Sequence, residues 1–183
     1  MKGLILHFTE SKFTFGMRSD FVERDILGHV LFALTEPNRL ACRVSLETGL
    51  RIDDVLSLSV GVLAQKSFTV IEKKTGKKKK CRLSEGLKRD LKHISGTFFI
   101  FPHRTDQNRH RTRQAVYSDI KRASKLFRVK DNITPHTMRK AYAVDLMRKY
   151  KDLNRVNQAL NHDKGYLGTT MIYALADILK YGY

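Results

Sequence analysis

The chain has 183 residues, of which 42% are hydrophobic, and its 35 Lys and Arg against 18 Asp and Glu give a formal net charge of +17 at pH 7. This length and composition predict one globular domain with a buried core, and no apolar run is long enough to cross a membrane. The charge favours a polyanionic partner, nucleic acid before membrane, because the sequence shows no basic amphipathic anchor. A basic RNA-binding protein also fits this charge.

The two cysteines, Cys42 and Cys81, stand alone, with no C-x-x-C partner. This pattern predicts neither a disulfide scaffold nor a zinc site and favours a reducing compartment. The start of the chain, MKGLILHFTESKFTFG, has a short apolar run without a small-residue cleavage site, which argues against a signal peptide. We therefore expect a cytoplasmic location.

The first part of the chain is predicted to be helical. Apolar residues at helical spacing predict helices over 19–34 and 38–48, and Gly49 is predicted to end the second. The stretch DDVLSL, residues 53–58, predicts a short third helix, since carboxylates favour helix N-termini.

The next part is predicted to form a small three-stranded antiparallel sheet. Strand-forming residues predict strands at Val60–Leu63, Ser67–Ile71 and Lys79–Leu83, and KKTGKKKK between the last two predicts a hairpin turn centred on Gly76. Seven of the ten residues from Lys73 to Arg82 are basic, so this hairpin has a densely positive tip.

Helical spacing returns in the second half of the chain. Helices are predicted over 84–94, through Val116 to Phe127, from Thr134–Pro135 onwards and over 152–160, with a short extended TFFIFP and a basic loop at 103–113. The fold class is mainly α with one small sheet, an α+β protein. The order of helices, sheet and helices argues against a Rossmann or barrel architecture.

Two segments carry arginines suited to holding a phosphate. Arg51 precedes a helix whose N-terminal amides attract anions, and Asp54 is placed to orient its guanidinium through a charge-assisted pair. His136 and Arg139 lie three residues apart and so on one side of the predicted helix. Each pair taken alone is also what an ordinary solvated surface presents.

Two further segments carry groups for proton transfer and nucleophilic attack. Lys74 on the hairpin is the lysine we expect to deliver a proton, whereas a solvated tip is the alternative. LNHDKGYLGTTMIYALADIL contains His162 and Tyr173, which alone also fit a helix cap and a core residue. The expected nucleic-acid contacts are the other basic residues of the hairpin and the loop: Lys73, Lys77, Lys78, Lys79, Lys80, Arg82, Arg109, Arg111 and Arg113.

In chain order, T-G-L-R-x-x-D, K-T-G on a hairpin, H-x-x-R, and L-x-H followed by T-T-x-x-Y resemble the tyrosine recombinase (phage integrase) family. The resemblance runs from about Arg18 to Tyr173 and corresponds to the family's C-terminal catalytic domain, with its DNA breaking-rejoining fold. It implies that residues 1–183 form this single domain and that the N-terminal core-binding (SAM-like) domain is absent.

The resemblance implies a site-specific recombinase or integrase that cleaves and rejoins double-stranded DNA through a covalent 3′-phosphotyrosine, with no metal or other cofactor. Arg51 and Arg139 would clamp the phosphate, since planar guanidinium forks match phosphate oxygens. His136 would act as general base, and His162 would hydrogen-bond a phosphate oxygen.

The remaining implied roles fall on Lys74, which would protonate the departing 5′-hydroxyl, and on Tyr173, the implied nucleophile. The sequence departs from the family pattern at Asn161, where Gly is usual, and in an eleven-residue interval from His162 to Tyr173 instead of about nine. Three other tyrosines are therefore rival nucleophiles: Tyr166, Tyr181 and Tyr183.

The tail ALADILKYGY carries apolar residues at helical spacing. In the family such tails often dock on a neighbouring protomer, which implies a homo-tetramer on DNA and leaves a monomer open without DNA. Packing of the tail on its own domain is an equal alternative. Two other functions also remain open: a DNA-binding regulator or degenerate mobile-element protein that does not cut, and DNA relaxation of the type IB topoisomerase kind.

Overall fold

Seven α-helices and one two-stranded antiparallel sheet make up residues 19–161, the part of the chain that the computed structural model describes. The helices are α1 (Arg24–Phe32), α2 (Glu36–Thr48), α3 (Ile52–Leu56), α4 (Glu85–Ile94), α5 (Arg113–Leu126), α6 (Pro135–Tyr150) and α7 (Leu153–Ala159). A 3₁₀ helix (Val60–Ala64) and strands β1 (Phe68–Ile71) and β2 (Lys78–Cys81) lie between α3 and α4. The predicted fold class, mainly α with a small sheet, is confirmed.

The central helix of this fold is α2, which packs against α1, α3, α4, α5 and α6. Leu40, Ala41 and Val44 on this helix are fully buried in the main core. Cys42 and Cys81 are free thiols in the same core, and burial raises the pKa of Cys42 to about 12 and that of Cys81 to about 11. These thiols are therefore kept protonated and unreactive.

Helix α2 ends at Gly49, as predicted, in the left-handed conformation with φ of 68°. The Gly49 N–H donates to the Ser45 carbonyl at 2.8 Å, and the chain turns sharply toward Arg51. A Cβ atom at Gly49 would lie 2.3 Å from the Tyr142 ring, so both the backbone angle and the space require glycine.

The predicted hairpin is present, with β1 and β2 antiparallel and Ile71 opposite Lys78 at the turn end. Gly76 has φ of 66° in the turn, and its N–H donates to the Glu72 carbonyl at 2.8 Å. The tight turn places Lys73 and Lys74 at the tip of the hairpin.

The predicted first strand, Val60–Leu63, is wrong, because these residues lie in the 3₁₀ helix. Val62 and Leu63 are both buried, whereas neighbours on a strand point to opposite faces. The Val62 N–H donates within its own turn, to the Ser59 carbonyl at 3.2 Å. The sheet among the described residues therefore has two strands instead of three.

Helix α6 begins at Thr134 and Pro135, as predicted. The Thr134 side chain accepts from the His136 N–H at 3.2 Å, and the Thr137 hydroxyl accepts from the Thr134 N–H at 3.1 Å, which completes a capping box. This cap fixes the direction in which the first turn of α6 presents His136 and Arg139. No helix within residues 19–161 is long and apolar enough to span a membrane.

Replacing Gly49 with Ala is expected to lower the free energy of unfolding by about 3 kcal/mol, from left-handed strain and the clash with Tyr142. Urea denaturation measures the loss. The matched control is Gly76→Ala, which has a similar φ but no neighbouring atom within 4 Å, and we expect it to lose about 1 kcal/mol. Equal losses would show that the contact with Tyr142 is unimportant.

Candidate active site

The starts of α3, α5 and α6 and the hairpin tip converge on one cleft of about 740 Å³. Seven residues predicted to be functional line this cleft: Arg51, Asp54, Lys73, Lys74, Arg113, His136 and Arg139. The first and last of these are 88 positions apart in the sequence, so their proximity is a result of the tertiary fold.

Arg139 is a large, fully buried side chain, with 1% of its surface exposed. Its Nη1 donates to the Gly49 carbonyl at 2.5 Å and to Glu72 Oε1 at 3.1 Å, and its Nη2 donates to the Leu160 carbonyl at 2.5 Å. Burial and the nearby charge of Arg51 lower the pKa of Arg139. Its Nε is buried and has no hydrogen-bond partner among the described residues.

Glu72 is the counter-ion of both arginines, and sequence analysis missed it. It follows β1 directly and is fully buried, with one carboxylate oxygen 3.0 Å from Arg51 Nη1 and 3.1 Å from Arg139 Nη1. Burial alone raises the pKa of Glu72, but the charges of Arg139 and Arg51 and hydrogen bonds from Arg139 and Thr75 outweigh it, so the pKa lies below its ordinary value. The only signal in the sequence was an acidic residue at the start of a lysine-rich hairpin.

Arg51 occupies the N-cap position of α3 with an extended backbone. Its side chain is 22% exposed and reaches from the buried Glu72 to the cleft. The contact with Glu72 is a charge pair without a linear hydrogen bond, since Arg51 Nη1 has no hydrogen-bond acceptor. Arg51 and Arg139 thus share one carboxylate oxygen of Glu72, and both arginines line the cleft.

The predicted role of Asp54 as the partner of Arg51 is wrong. Its buried carboxylate accepts from the Lys73 backbone N–H at 2.9 Å, whereas Arg51 pairs with Glu72. Asp54 therefore ties the hairpin tip to α3, and in this way it sets the position of Lys74 beside the cleft.

The basic residues predicted to contact nucleic acid divide into three groups by exposure. Lys73, Lys78, Lys80, Arg82, Arg109 and Arg113 are exposed, and Lys77 and Arg111 are partly buried. The prediction is wrong for Lys79, whose surface is only 7% exposed. Strand alternation explains the difference, since Lys78 and Lys80 point outward while Lys79 points into the protein.

The cleft also contains residues that the sequence analysis did not single out. Gln114 and Tyr117 on α5 line it beside Arg113. The ring of Tyr117 lies 5.4 Å from the Lys121 ammonium, and its side chain is partly exposed. The sequence analysis predicted this helix from its apolar face, and for that reason it did not single out Gln114 and Tyr117.

Several predicted residues lie outside the described part of the chain: His162, Tyr173, and the rival tyrosines Tyr166, Tyr181 and Tyr183. Within residues 19–161 no group of three or more His, Cys, Asp or Glu side chains is arranged to hold a metal ion. The described part of the cleft offers three guanidiniums, two lysines and an imidazole, beside the carboxylates of Asp53 and Asp54. The cations outnumber the carboxylates, which suits an anion with several oxygens.

Replacing Glu72 with Gln keeps the shape of the side chain but leaves Arg139 and Arg51 without a counter-charge. We expect a loss of about 3 kcal/mol in the free energy of unfolding, measured by urea denaturation at neutral pH. The matched control is Glu85→Gln, which removes an exposed carboxylate 2.9 Å from Lys88 and is expected to change stability little. Similar losses for the two variants would contradict this role of Glu72.

The contribution of Glu72 is expected to depend on pH. Because its pKa is lowered from 4.5, the stabilisation is present above pH 4.5 and is lost as the pH falls through the lowered value. The stability difference between wild type and Glu72→Gln should therefore shrink on acidification. Urea denaturation at a series of pH values measures it, and a difference independent of pH would argue against a charge effect.

Comparison with known proteins supports the resemblance drawn from the motifs. Residues 22–178 match the phage integrase family. The chain is 30% identical over 142 residues to tyrosine recombinase XerC of Mesorhizobium japonicum, covering 73% of this chain and 45% of that protein. It is 26% identical over 164 residues to a tyrosine recombinase of Thermosipho africanus, covering 84% and 56%. The chain thus spans about half the length of the curated relatives it matches.

Solved structures share the fold. The XerH site-specific recombinase bound to a palindromic difH substrate matches with a TM-score of 0.67 and 20% identity, covering 88% of this chain and 51% of that one. Lambda integrase, residues 75–356 bound to DNA, matches with a TM-score of 0.68 and 18% identity, covering 86% and 61%. With the family match over most of its length, the chain belongs to the phage integrase family.

Proposed function

We propose that the chain is the catalytic part of a site-specific DNA recombinase that cuts and rejoins DNA through a covalent 3′-phosphotyrosine. The observation that carries this proposal is the pair of guanidiniums, Arg51 and Arg139, held over Glu72 at the floor of a cleft that Lys74 and His136 also line. Membership of the phage integrase family supports it.

The arginine pair suits the charge that develops during attack on a phosphodiester. The attack places extra negative charge on the non-bridging oxygens, and guanidinium forks match those oxygens without losing their own charge. Because Glu72 and the carbonyls of Gly49 and Leu160 already hold Arg139 in place, little reorganisation accompanies the reaction.

The two proton transfers fall to groups on the walls of the cleft. His136, exposed in the first turn of α6, is proposed as the general base that activates the tyrosine hydroxyl. Lys74, exposed at the hairpin tip, is proposed to protonate the departing 5′-hydroxyl. Tyr173 is proposed as the nucleophile, and His162 as a hydrogen-bond donor to the phosphate.

The exposed basic residues of the hairpin and of the loop before α5 are proposed to bind the DNA backbone. The hairpin contributes Lys78, Lys80 and Arg82, and the loop before α5 contributes Arg109. Each neutralised phosphate steepens the salt dependence of binding. Lambda integrase is known as a tetramer bound to a Holliday junction, and we propose a similar assembly on DNA here.

The nucleophile is tested with a pool of nicked duplexes of randomised sequence, in which loss of a short 3′ fragment traps the covalent intermediate. The wild-type protein is expected to form adducts that survive detergent, and Tyr173→Phe is expected to form none, because the attacking oxygen is gone. Gel electrophoresis of labelled duplexes measures the adduct. Arg139→Lys is expected to lower adduct formation by about a hundredfold or more, since one fork on the developing charge is lost.

The control variant is Tyr117→Phe, which removes the hydroxyl of a tyrosine that lines the cleft. Adducts that persist in Tyr173→Phe but vanish in Tyr117→Phe would move the nucleophile to α5. Binding of the pool without any adduct would favour a DNA-binding regulator instead. Relaxation of a supercoiled plasmid without strand exchange would favour activity of the topoisomerase kind.

A further inference from the structure

Lys79 on β2 has a buried ammonium group with no hydrogen-bond partner among the described residues. A Cβ built on Gly49 would lie 3.1 Å from its Nζ, and the centroid of the Tyr142 ring lies 5.2 Å away. Lys79 therefore sits beside the residue whose carbonyl binds Arg139. It does not line the cleft, in contrast to Lys74, so it does not itself touch a bound phosphate.

The groups that face Lys79 come from every element packed around it. They are Arg139 and Tyr142 on α6, Arg51 at the start of α3, and Glu72 and Cys81 on the hairpin. Glu72 is the one carboxylate among these, and both its oxygens are engaged, Oε1 with the two arginines and Oε2 with Thr75 at 3.1 Å.

The buried or partly buried charges at and beside the cleft do not balance. Arg51, Arg139 and Lys79 supply three cations when Lys79 is protonated, against the two buried carboxylates Glu72 and Asp54. Asp54 already accepts from the hairpin backbone. A phosphodiester in the cleft carries the single negative charge that would balance the cluster.

Without a bound anion, the surroundings of Lys79 disfavour its charged form. Burial in the first place, and the charge of Arg139 in the second, lower the pKa of Lys79 from 10.5 to about 8. Between these two values the unfolded chain binds more protons, so stability rises with pH there, and below pH 8 the charged lysine opposes folding. The contact with the Tyr142 ring offsets only part of this effect.

We propose that Lys79 is a positioning residue of the phosphate site, a buried third cation whose charge is balanced when a DNA phosphate occupies the cleft. The inference rests on the proposed function, since it takes a phosphodiester as the anion that the cleft binds. Lys79 acts through the electric field at Arg51 and Arg139. This role links DNA binding to protonation, so that binding of DNA takes up a proton on Lys79 when the pH is at or above the pKa of Lys79.

The test measures the affinity for a short fluorescent DNA duplex by anisotropy at constant ionic strength, from about one pH unit below to one above the pKa of about 8. Wild-type affinity is expected to fall about tenfold across this interval, because a linked proton changes affinity by at most tenfold per pH unit. Lys79→Met is expected to bind more weakly at the lower pH and to lose most of this dependence.

Two further variants separate the linked charge from general effects. Lys79→Arg keeps a permanent charge and is expected to bind tightly without the pH dependence. Lys80→Met removes an exposed cation from the same strand and is expected to weaken binding at every pH while keeping the wild-type slope. Urea denaturation gives an independent readout, because Lys79→Met is expected to unfold at a higher urea concentration than wild type.

A wild-type affinity independent of pH, or the wild-type slope retained in Lys79→Met, would overturn the inference. The covalent-adduct assay tests the proposed function separately. Adducts formed without the pH slope would overturn only the role of Lys79. The slope without adducts would overturn the cutting activity and leave Lys79 as a phosphate-linked group in a protein that binds DNA.

Discussion

The carboxylate of Glu72, buried between Arg51 and Arg139, is the interaction on which both the site and the surrounding fold depend. Two guanidiniums placed side by side in the protein interior repel each other, and removing either from water is costly unless an anion compensates. Glu72 supplies that anion because the hairpin places it beside Arg51 at the start of α3 and Arg139 on α6. Its pairing therefore links the position of the hairpin to the geometry of the arginines.

Arg139 extends this link to further elements. Its guanidinium also binds the carbonyl that ends α2, at Gly49, and the carbonyl of Leu160 after α7. One side chain thus satisfies backbone groups from two helix ends while it also lines the cleft. The proposed catalytic group is also a structural one, so substitutions at Arg139 are expected to change folding and chemistry together, and activity measurements need a stability measurement beside them.

Strand β2 of the lysine-rich hairpin carries both exposed and buried lysines. Its alternating side chains place Lys78 and Lys80 in solvent, where they are available to a polyanion, and place Lys79 behind the arginines. Asp54 holds the tip of the same hairpin through the Lys73 backbone. The hairpin therefore carries exposed charges that are proposed to bind DNA and one buried charge that is proposed to act on the two arginines.

The sequence by itself determined the features that depend on near neighbours: the cap of α6 at Thr134, the turn glycines Gly49 and Gly76, most helix positions, and the order of the motifs that indicates the family. These follow from backbone angles and local hydrogen bonds, which a few adjacent residues decide. Only the tertiary structure decided that Glu72 takes both arginines, that Asp54 holds the hairpin, that Lys79 is buried, and that Val60–Leu63 forms a 3₁₀ helix. Those outcomes depend on residues far apart in the chain, because packing chooses which charge meets which partner and overrides local propensity.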